Sequence, residues 1–188
     1  MYLLAGTGSR SCPATIHATL CDKLDKMLKW NPQAEVLSGA ATGFDHQLAL
    51  AAYEVGVPYH LCIPNRGYAS HYWKDRWDEW VFMSENAITI EYVMEEVYHL
   101  SDIYLWVNGK KIHSNFVRNS RMVERANGFL VYDAGSPGTK HCVEEIRKAG
   151  KPMTVIAAPC NICGEPSVMI DDLGGSYCAK CSMFAFDD

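Results

Sequence analysis

Along the first third of the chain, short apolar runs alternate with longer stretches in which apolar residues recur at helical spacing. Short apolar runs occupy 2–5, 34–37 and 58–63, and each has the length of a buried β-strand. Between them lie two stretches with a helical repeat of apolar residues: Ile16, Leu20, Leu24 and Leu28 in the first, and Phe44, Leu48, Ala51, Ala52 and Val55 in the second. The pattern therefore predicts strands that alternate with helices.

The second half of the chain returns to this alternation after a less regular middle. The pattern predicts a strand at 87–93, a short helix and then a strand within 95–107, a helix at 114–126, a strand at 128–133, a helix at 140–149 and a strand at 152–157. Strands that alternate with helices form parallel sheets covered on both faces. We therefore expect an α/β fold over residues 1–157, with a Rossmann-like, mostly parallel sheet.

Three segments rich in glycine and hydroxyl residues follow predicted strands and precede predicted helices. They are Gly6 to Arg10, Gly39 to Asp45 and Gly135 to Thr139. Ligands of open parallel sheets bind beyond the carboxyl ends of the strands, so these loops are expected to meet at one crevice. Glycine lets backbone N–H groups approach an anion, and a helix N-terminus adds partial positive charge. A phosphorylated ligand is predicted, although neither a complete dinucleotide fingerprint nor a P-loop lysine is present.

Charge and composition narrow the class of protein. The 188 residues carry 17 Lys and Arg against 22 Asp and Glu, a net charge of −5, which disfavours nucleic acid as a partner. The apolar runs are too short to span a bilayer and no signal peptide is recognisable, so we expect a cytoplasmic protein that does not contact membranes. The histidines, His17 among them, form no metal-binding pattern in the sequence, and Cys12, Cys21, Cys62 and Cys142 are expected to be small buried hydrophobic residues.

The most specific motif lies at the C-terminus. Two Cys-x-x-Cys pairs, Cys160 with Cys163 and Cys178 with Cys181, have the spacing of a four-thiolate zinc ribbon. Four thiolates suit tetrahedral zinc and leave no open position for catalysis, so the expected role is structural. Residues 158–188 are predicted to form a small unit whose folding depends on the metal. A redox dithiol and an iron site are the alternatives.

The order of four motifs resembles that of the SLOG superfamily. The motifs are GTGSR after the first strand, SGAATGFD after the second, RNSRM on a helix and GSPGT before the last helix. This superfamily includes the DNA-processing protein A domain and the LONELY GUY phosphoribohydrolases. The resemblance covers residues 1–157, and it implies a nucleotide or nucleotide-derived ligand and a protein that forms homo-oligomers.

The resemblance also assigns residues to the ligand. The implied binding residues are Gly6, Thr7, Gly8, Ser9, Arg10, Gly39, Thr42, Gly43, Asn119, Gly135, Ser136, Gly138 and Thr139. Arg118 matches the arginine that contacts substrate and assists loss of the base. The chain departs from the pattern at the catalytic glutamate, where it has Cys142. Asp45 could supply a carboxylate from the start of its helix, or it could serve only as the N-cap.

The missing glutamate leaves two functions open. The first is hydrolysis of the N-glycosidic bond of a nucleoside monophosphate by Arg118 and Asp45. The second is binding of a nucleotide-like ligand without chemistry, as a sensor or sponge. Handling of single-stranded DNA is a third function, which the acidic charge disfavours. Trp73, Trp77 and Trp80 recur at helical spacing and could place a ring against a base, but the expected place for them is the core or, by preference, a subunit interface.

Overall fold

The computed structural model of the chain describes residues 2–94, 104–107, 110–132, 135–157, 162–163, 169–170, 176–178 and 180. The strands are β1 (Tyr2–Gly8), β2 (Ala34–Ser38), β3 (Tyr59–Ile63), β4 (Thr89–Tyr92), β5 (Tyr104–Val107), β6 (Lys110–His113), β7 (Gly128–Tyr132), β8 (Met153–Val155), β9 (Met169–Ile170) and β10 (Ser176–Tyr177). The helices are α1 (Ile16–Trp30), α2 (Phe44–Val55), α3 (Tyr68–Tyr72), α4 (Trp77–Glu85), α5 (Ser114–Arg125) and α6 (Pro137–Lys148).

Six strands form one parallel sheet in the order β4-β3-β2-β1-β7-β8. The chain builds β1 to β4 in one direction and then returns to the other side of β1 with β7. The strand order therefore reverses between β1 and β7, which is where an open α/β sheet leaves a crevice at its carboxyl edge. The predicted α/β fold with a Rossmann-like parallel sheet is confirmed.

Helices cover both faces of this sheet because the strand residues alternate between two cores. On one face, Leu4 and Val36 pack with the apolar stripes of α1 and α2. On the other, Leu3 and Ala5 pack with apolar residues of α5 and α6. The helical repeats found in the sequence therefore mark the sides of the helices that are removed from water.

Two element boundaries differ from the prediction, and both differences lie at the crevice. Strand β1 continues through Gly6, Thr7 and Gly8, which pair with β7, so the loop after it begins only at Ser9. Helix α6 begins at Pro137 because Ser136 caps it, so the predicted third loop includes the first helical turn. The first difference arises because the apolar run that marks β1 stops before Gly6. The second arises because the glycines of the third segment are typical of a loop.

The middle of the chain contributes a hairpin that the sequence did not predict. Strand β5 lies within the predicted segment 95–107, and β6 pairs with it antiparallel before leading directly into α5. The helix predicted within 95–103 lies outside the described residues. Trp73 and Trp80 are buried in the core of the chain rather than on a surface that a second subunit could cover, whereas Trp77 is half-exposed. Among the described residues, no helix has the length and apolar character needed to cross a membrane.

Candidate functional site

A pocket of about 390 Å³ lies at the crevice between β1 and β7. Its walls come from the end of β1 and the loop after it, the start of α2, the start of α5 and the start of α6. The lining residues are Thr7, Gly8, Ser9, Arg10, Ser11, Ala41, Asp45, His113, Asn115, Phe116, Arg118, Asn119, Ser136, Pro137, Gly138 and Thr139. Segments far apart in the sequence thus meet at one edge of the sheet.

Most of the residues assigned to a ligand from sequence line this pocket. Ten of them do so: Thr7, Gly8, Ser9, Arg10, Asp45, Arg118, Asn119, Ser136, Gly138 and Thr139. Gly6, Gly39, Thr42, Gly43 and Gly135 are not in its lining. Their contact with a ligand stays a prediction, and for Gly6, Gly39 and Gly43 the structure gives a packing role instead.

The packing roles of these three glycines bring the loops together. A Cβ at Gly6 would overlap the Leu48 side chain, so the end of β1 lies directly on α2. Gly43 has a φ of 87°, and a Cβ there would lie 2.6 Å from the Ser9 carbonyl oxygen. The Phe44 N–H donates to that same carbonyl at 3.2 Å, which holds the first loop against the start of α2. A Cβ at Gly39 would likewise overlap the Arg118 guanidinium and lie 2.6 Å from Asp45 Oδ2.

Arg118 and Asp45 form a buried pair at the floor of the pocket. Arg118 Nη1 lies 3.6 Å from Asp45 Oδ2 and also donates to the Gly39 carbonyl oxygen. The two side chains are 8% and 5% exposed, so this pair is shielded from solvent far more than a surface ion pair. The N-cap of α2 is Gly43, so Asp45 is not the cap of its helix. Asp45 Oδ1 has no hydrogen-bond partner within the described part of the chain.

Burial raises the pKa of Asp45 to about 6. The Arg118 guanidinium, the Ala41 N–H and, more weakly, Arg10 and the Gly8 N–H oppose this rise because each favours the ionised carboxylate. A carboxyl group with a pKa near 6 is mostly ionised at neutral pH and still accepts a proton readily. Asp45 is the single carboxylate among the described residues that line the pocket.

Asn119 connects this pair to the third wall of the pocket. Its Oδ1 accepts a hydrogen bond from Arg118 Nε at 3.0 Å, and its Nδ2 donates to the Gly138 carbonyl oxygen at 3.0 Å. Both ends of the amide are thus used by protein groups. Asn119 fixes the plane of the guanidinium relative to the start of α6.

The start of α6 presents polar groups to the pocket. Ser136 Oγ accepts from the Thr139 N–H at 3.2 Å and lies 2.7 Å from Thr139 Oγ1. Gly138 is the second residue of α6, so its N–H has no helical carbonyl four residues earlier to bond, and a Cβ at Gly138 would meet nothing within 4 Å. Helix α6 has twelve residues, and its N-terminus faces open space here with an N–H donor that makes no helical bond. Such a helix N-terminus can bind an anion.

An aromatic wall faces the pocket from the other side, and sequence reasoning missed it. Phe116 and His113 line the pocket, and the Phe116 ring stacks on His141 with centroids 4.2 Å apart. His113 is placed by the hairpin, and its Nδ1 accepts from the Asn115 N–H at 3.1 Å to cap α5. No local signal marks these residues, because the hairpin reaches the pocket through tertiary packing.

Cys142 does not take the place of a catalytic glutamate. Cys142 lies on the buried side of α6, where its side chain is fully enclosed in the core, and it is absent from the pocket lining among the described residues. Burial raises the pKa of the thiol to about 11. A neutral, enclosed thiol is neither a nucleophile nor a base at neutral pH.

The four cysteines predicted to bind zinc fall only partly within the described residues. Cys160 and Cys181 lie outside them, whereas Cys163 Sγ and Cys178 Sγ are 3.6 Å apart and not joined in a disulfide. The short strands β9 and β10 pair antiparallel between these two cysteines. Two thiolates on one tetrahedral zinc with bonds of about 2.3 Å are separated by roughly 3.7 Å. The two described cysteines therefore fit a shared metal.

Comparison with known proteins identifies the fold. Neither a protein-family model nor a curated protein matches the sequence. The solved structure of DNA processing protein A from Streptococcus pneumoniae is similar, with a TM-score of 0.59 and 18% identity over 83% of this chain and 50% of that one. The chain thus spans about half the length of that protein.

Two further solved structures are similar over larger shares of their own length. DNA processing protein A from Helicobacter pylori, described for its single-stranded DNA binding mode, has a TM-score of 0.58 and 17% identity over 87% of this chain and 68% of that one. The structural-genomics target TM1055 has a TM-score of 0.50 and 14% identity over 96% of this chain and 88% of that one. These likenesses establish a fold like that of DNA processing protein A.

Proposed function

We propose that the pocket binds a phosphorylated nucleoside and that the protein hydrolyses its N-glycosidic bond. One observation carries the proposal: a buried arginine and a buried carboxylate lie together on the floor of a pocket that ends at a helix N-terminus. The pocket thus combines a guanidinium, a carboxylate that can accept a proton, and a helix N-terminus that can bind an anion. These groups suit the ribose, the glycosidic bond and the phosphate of such a substrate. A volume of about 390 Å³ lies within the range of small-molecule sites.

The phosphate is assigned to the start of α6. The Gly138 N–H is available there, the Ser136 and Thr139 hydroxyls lie beside it, and the partial positive charge of the helix favours an anion. Arg118 has two further donors on Nη2 that make no bond among the described residues, and a guanidinium keeps its charge when buried. It can hold ribose or phosphate oxygens from the pocket floor.

The base is assigned to the aromatic wall. Phe116 presents a ring already stacked on His141, and His113 stands beside it with Nε2 as the ring nitrogen that does not cap α5. Aromatic faces stack on any nucleobase, because every base has a flat π-surface. This wall and the start of α6 border one pocket, so a single ligand can reach both.

Asp45 is the residue that performs the chemistry in this proposal. Loss of a base develops positive charge at C1′ of the ribose, and a carboxylate can stabilise that charge or take a proton from the water that attacks C1′. Asp45 Oδ1 is buried and makes no hydrogen bond among the described residues, so we assign either role to this oxygen once a ligand or water reaches it. Arg118 holds Oδ2 and keeps the carboxylate oriented.

We expect Asp45→Asn to lower the release of free base by about 100-fold or more, because an amide cannot accept the proton. Affinity for the ligand should change little, since the amide keeps the shape of the side chain. In the unsubstituted protein, turnover should fall as the pH drops through about 6, where the Asp45 carboxylate becomes protonated. Chromatography of a panel of nucleoside 5′-monophosphates measures both effects.

The matched control is Asp22→Asn, which removes an exposed carboxylate paired with Lys26 on α1. It should leave turnover unchanged. Equal turnover in the Asp45→Asn protein would exclude Asp45 as the catalytic carboxylate. Binding without base release from any nucleotide would instead favour the second candidate, a sensor or sponge, which the replacement of the family glutamate by buried Cys142 supports.

Single-stranded DNA is the ligand that one similar structure suggests by its description. The net charge of −5 gives this chain no general attraction for a phosphate backbone. We therefore rank DNA below a small phosphorylated nucleoside. A cytoplasmic location and assembly into homo-oligomers remain part of the proposal, and half-exposed Trp77 is one residue that a subunit interface could cover.

We also propose that Cys160, Cys163, Cys178 and Cys181 hold one structural zinc ion in a C-terminal unit, residues 158–188. The separation of Cys163 Sγ and Cys178 Sγ supports it. Replacing both of these cysteines with serine should remove one equivalent of tightly bound zinc, measured by elemental analysis of the full chain. The control Cys12→Ser, at a half-buried cysteine in the first domain, should retain that equivalent. Retention in the double variant would contradict the assignment.

A further inference from the structure

Two core helices place three metal-ligating side chains together away from the pocket. His17 and Cys21 are four residues apart on α1 and so share a face, and Glu54 lies in the last turn of α2. The three donor atoms all lie within 4.8 Å of one another. His17 Nε2 is 2.7 Å from Glu54 Oε2 and 3.6 Å from Cys21 Sγ. One imidazole nitrogen thus faces a carboxylate and a thiol at once.

We propose that His17, Cys21 and Glu54 form a second metal site, for Zn²⁺ or a divalent transition metal of similar preference. An imidazole nitrogen, a thiolate sulfur and a carboxylate oxygen are the ligand types that zinc takes in proteins. With bonds of about 2.0–2.3 Å, the ligand atoms of a tetrahedral site lie roughly 3.3–3.8 Å apart. The His17 to Cys21 separation already has this value. The His17 to Glu54 pair has to open by roughly 0.6 Å to reach it.

The surroundings give an ion a path and leave one position open. The His17 and Glu54 side chains are 28% and 66% exposed, and Cys21 is half-buried, so the cluster opens to solvent. Three protein ligands leave a fourth position for water. Glu54 stands nine residues after Asp45 on the same helix, or about 14 Å along it. An ion here is therefore separate from the proposed catalytic pocket.

The role that this position supports is a clamp between two helices. Below the cluster, α1 and α2 bury their apolar stripes against each other and the sheet. An ion bound by both helices stabilises the folded chain, because an unfolded chain does not bring His17 and Glu54 together. Without a metal, His17 Nε2 and Glu54 Oε2 still contact each other directly, and that contact has no need of a thiol at Cys21.

The test counts bound metal in the full chain after removal and return of Zn²⁺ or Co²⁺. We expect Cys21→Ser and Glu54→Gln each to lose one equivalent relative to the unsubstituted protein. Both should also lose the cobalt absorption that belongs to a site with one thiolate, while the absorption of the four-cysteine site stays. The control Asp25→Asn, which removes an exposed carboxylate on α1 that pairs with Lys29, should lose nothing.

Equal metal content in the unsubstituted protein, Cys21→Ser and Glu54→Gln would overturn the proposal. The Glu54 side chain is mostly exposed, so its substitution is compatible with folding and decides the question even where Cys21→Ser fails to fold. Loss of one equivalent in Cys163→Ser but not in Glu54→Gln would likewise overturn it. That result would leave the C-terminal zinc assignment standing.

Discussion

Arg118→Ala should abolish ligand binding and destabilise the fold by about 3–5 kcal/mol at neutral pH. The side chain is buried, and it joins Asp45, Asn119 and the Gly39 carbonyl across three elements. Removing it leaves the Asp45 carboxylate in a low-dielectric site without its cation, which costs more than the loss of the contacts alone. Urea denaturation and calorimetry of ligand binding measure the two effects.

The pH dependence of this loss separates charge from packing. Protonated Asp45 needs no counter-charge, so the destabilisation of Arg118→Ala should shrink as the pH is lowered from 8 to 5. The additional change Asp45→Asn should restore part of the stability lost at pH 8 for the same reason. Arg121→Ala is the matched control. Arg121 lies on the same helix and pairs with Glu91 and Glu124 at the surface, so about 1 kcal/mol or less is expected. Equal losses for Arg118→Ala and Arg121→Ala would contradict the buried-pair account.

Gly39→Ala should weaken ligand binding at least tenfold and cost about 1–3 kcal/mol of stability. A Cβ at this position would overlap the Arg118 guanidinium and lie 2.6 Å from Asp45 Oδ2. Gly39 directly follows β2, which β1 and β3 hold on both sides, so we expect the Arg118 and Asp45 side chains to be pushed apart before the backbone shifts. Thermal unfolding gives the stability change, and calorimetry gives the affinity.

Gly138→Ala provides the contrasting glycine. A Cβ there meets no protein atom within 4 Å, and alanine suits a helix better than glycine does. Its unfolding temperature should therefore stay the same or rise, although a methyl group beside the phosphate site can still weaken binding. A Gly39→Ala protein as stable as Gly138→Ala, with unchanged affinity, would show that the close approach at Gly39 has no energetic consequence.

The fold could be predicted because its elements are marked locally. Apolar runs identify β2, β3 and β7, and the four-residue repeat identifies α1. Their alternation implies a parallel sheet, and a parallel sheet places successive strand ends at one edge. Eight of the ten pocket residues chosen from sequence belong to the three loops after β1, β2 and β7 and meet for this reason, whereas Arg118 and Asn119 come from α5 and were assigned from the family resemblance. The same argument does not say which glycine faces a ligand and which packs against a neighbour, as Gly39 and Gly43 show.

The rest depends on contacts that no local pattern encodes. The pKa of Asp45 follows from burial beside Arg118, which is 73 residues away in sequence. His113 and Phe116 reach the pocket through a hairpin outside the main sheet. His17 and Glu54 are 37 residues apart and meet only where α1 crosses α2. Each of these features is a tertiary contact, so it follows from packing rather than from spacing.

In the proposed complex, the first turn of α6 and Arg118 hold the phosphate of a nucleotide. Calorimetry of the Asp45→Asn protein, which is expected to bind without turnover, tests it directly by comparing nucleoside 5′-monophosphates with the same nucleosides. We expect at least one monophosphate to bind ten times or more tightly than its nucleoside, a difference of about 1.4 kcal/mol. Equal affinity for each pair, or no binding of any monophosphate, would contradict it.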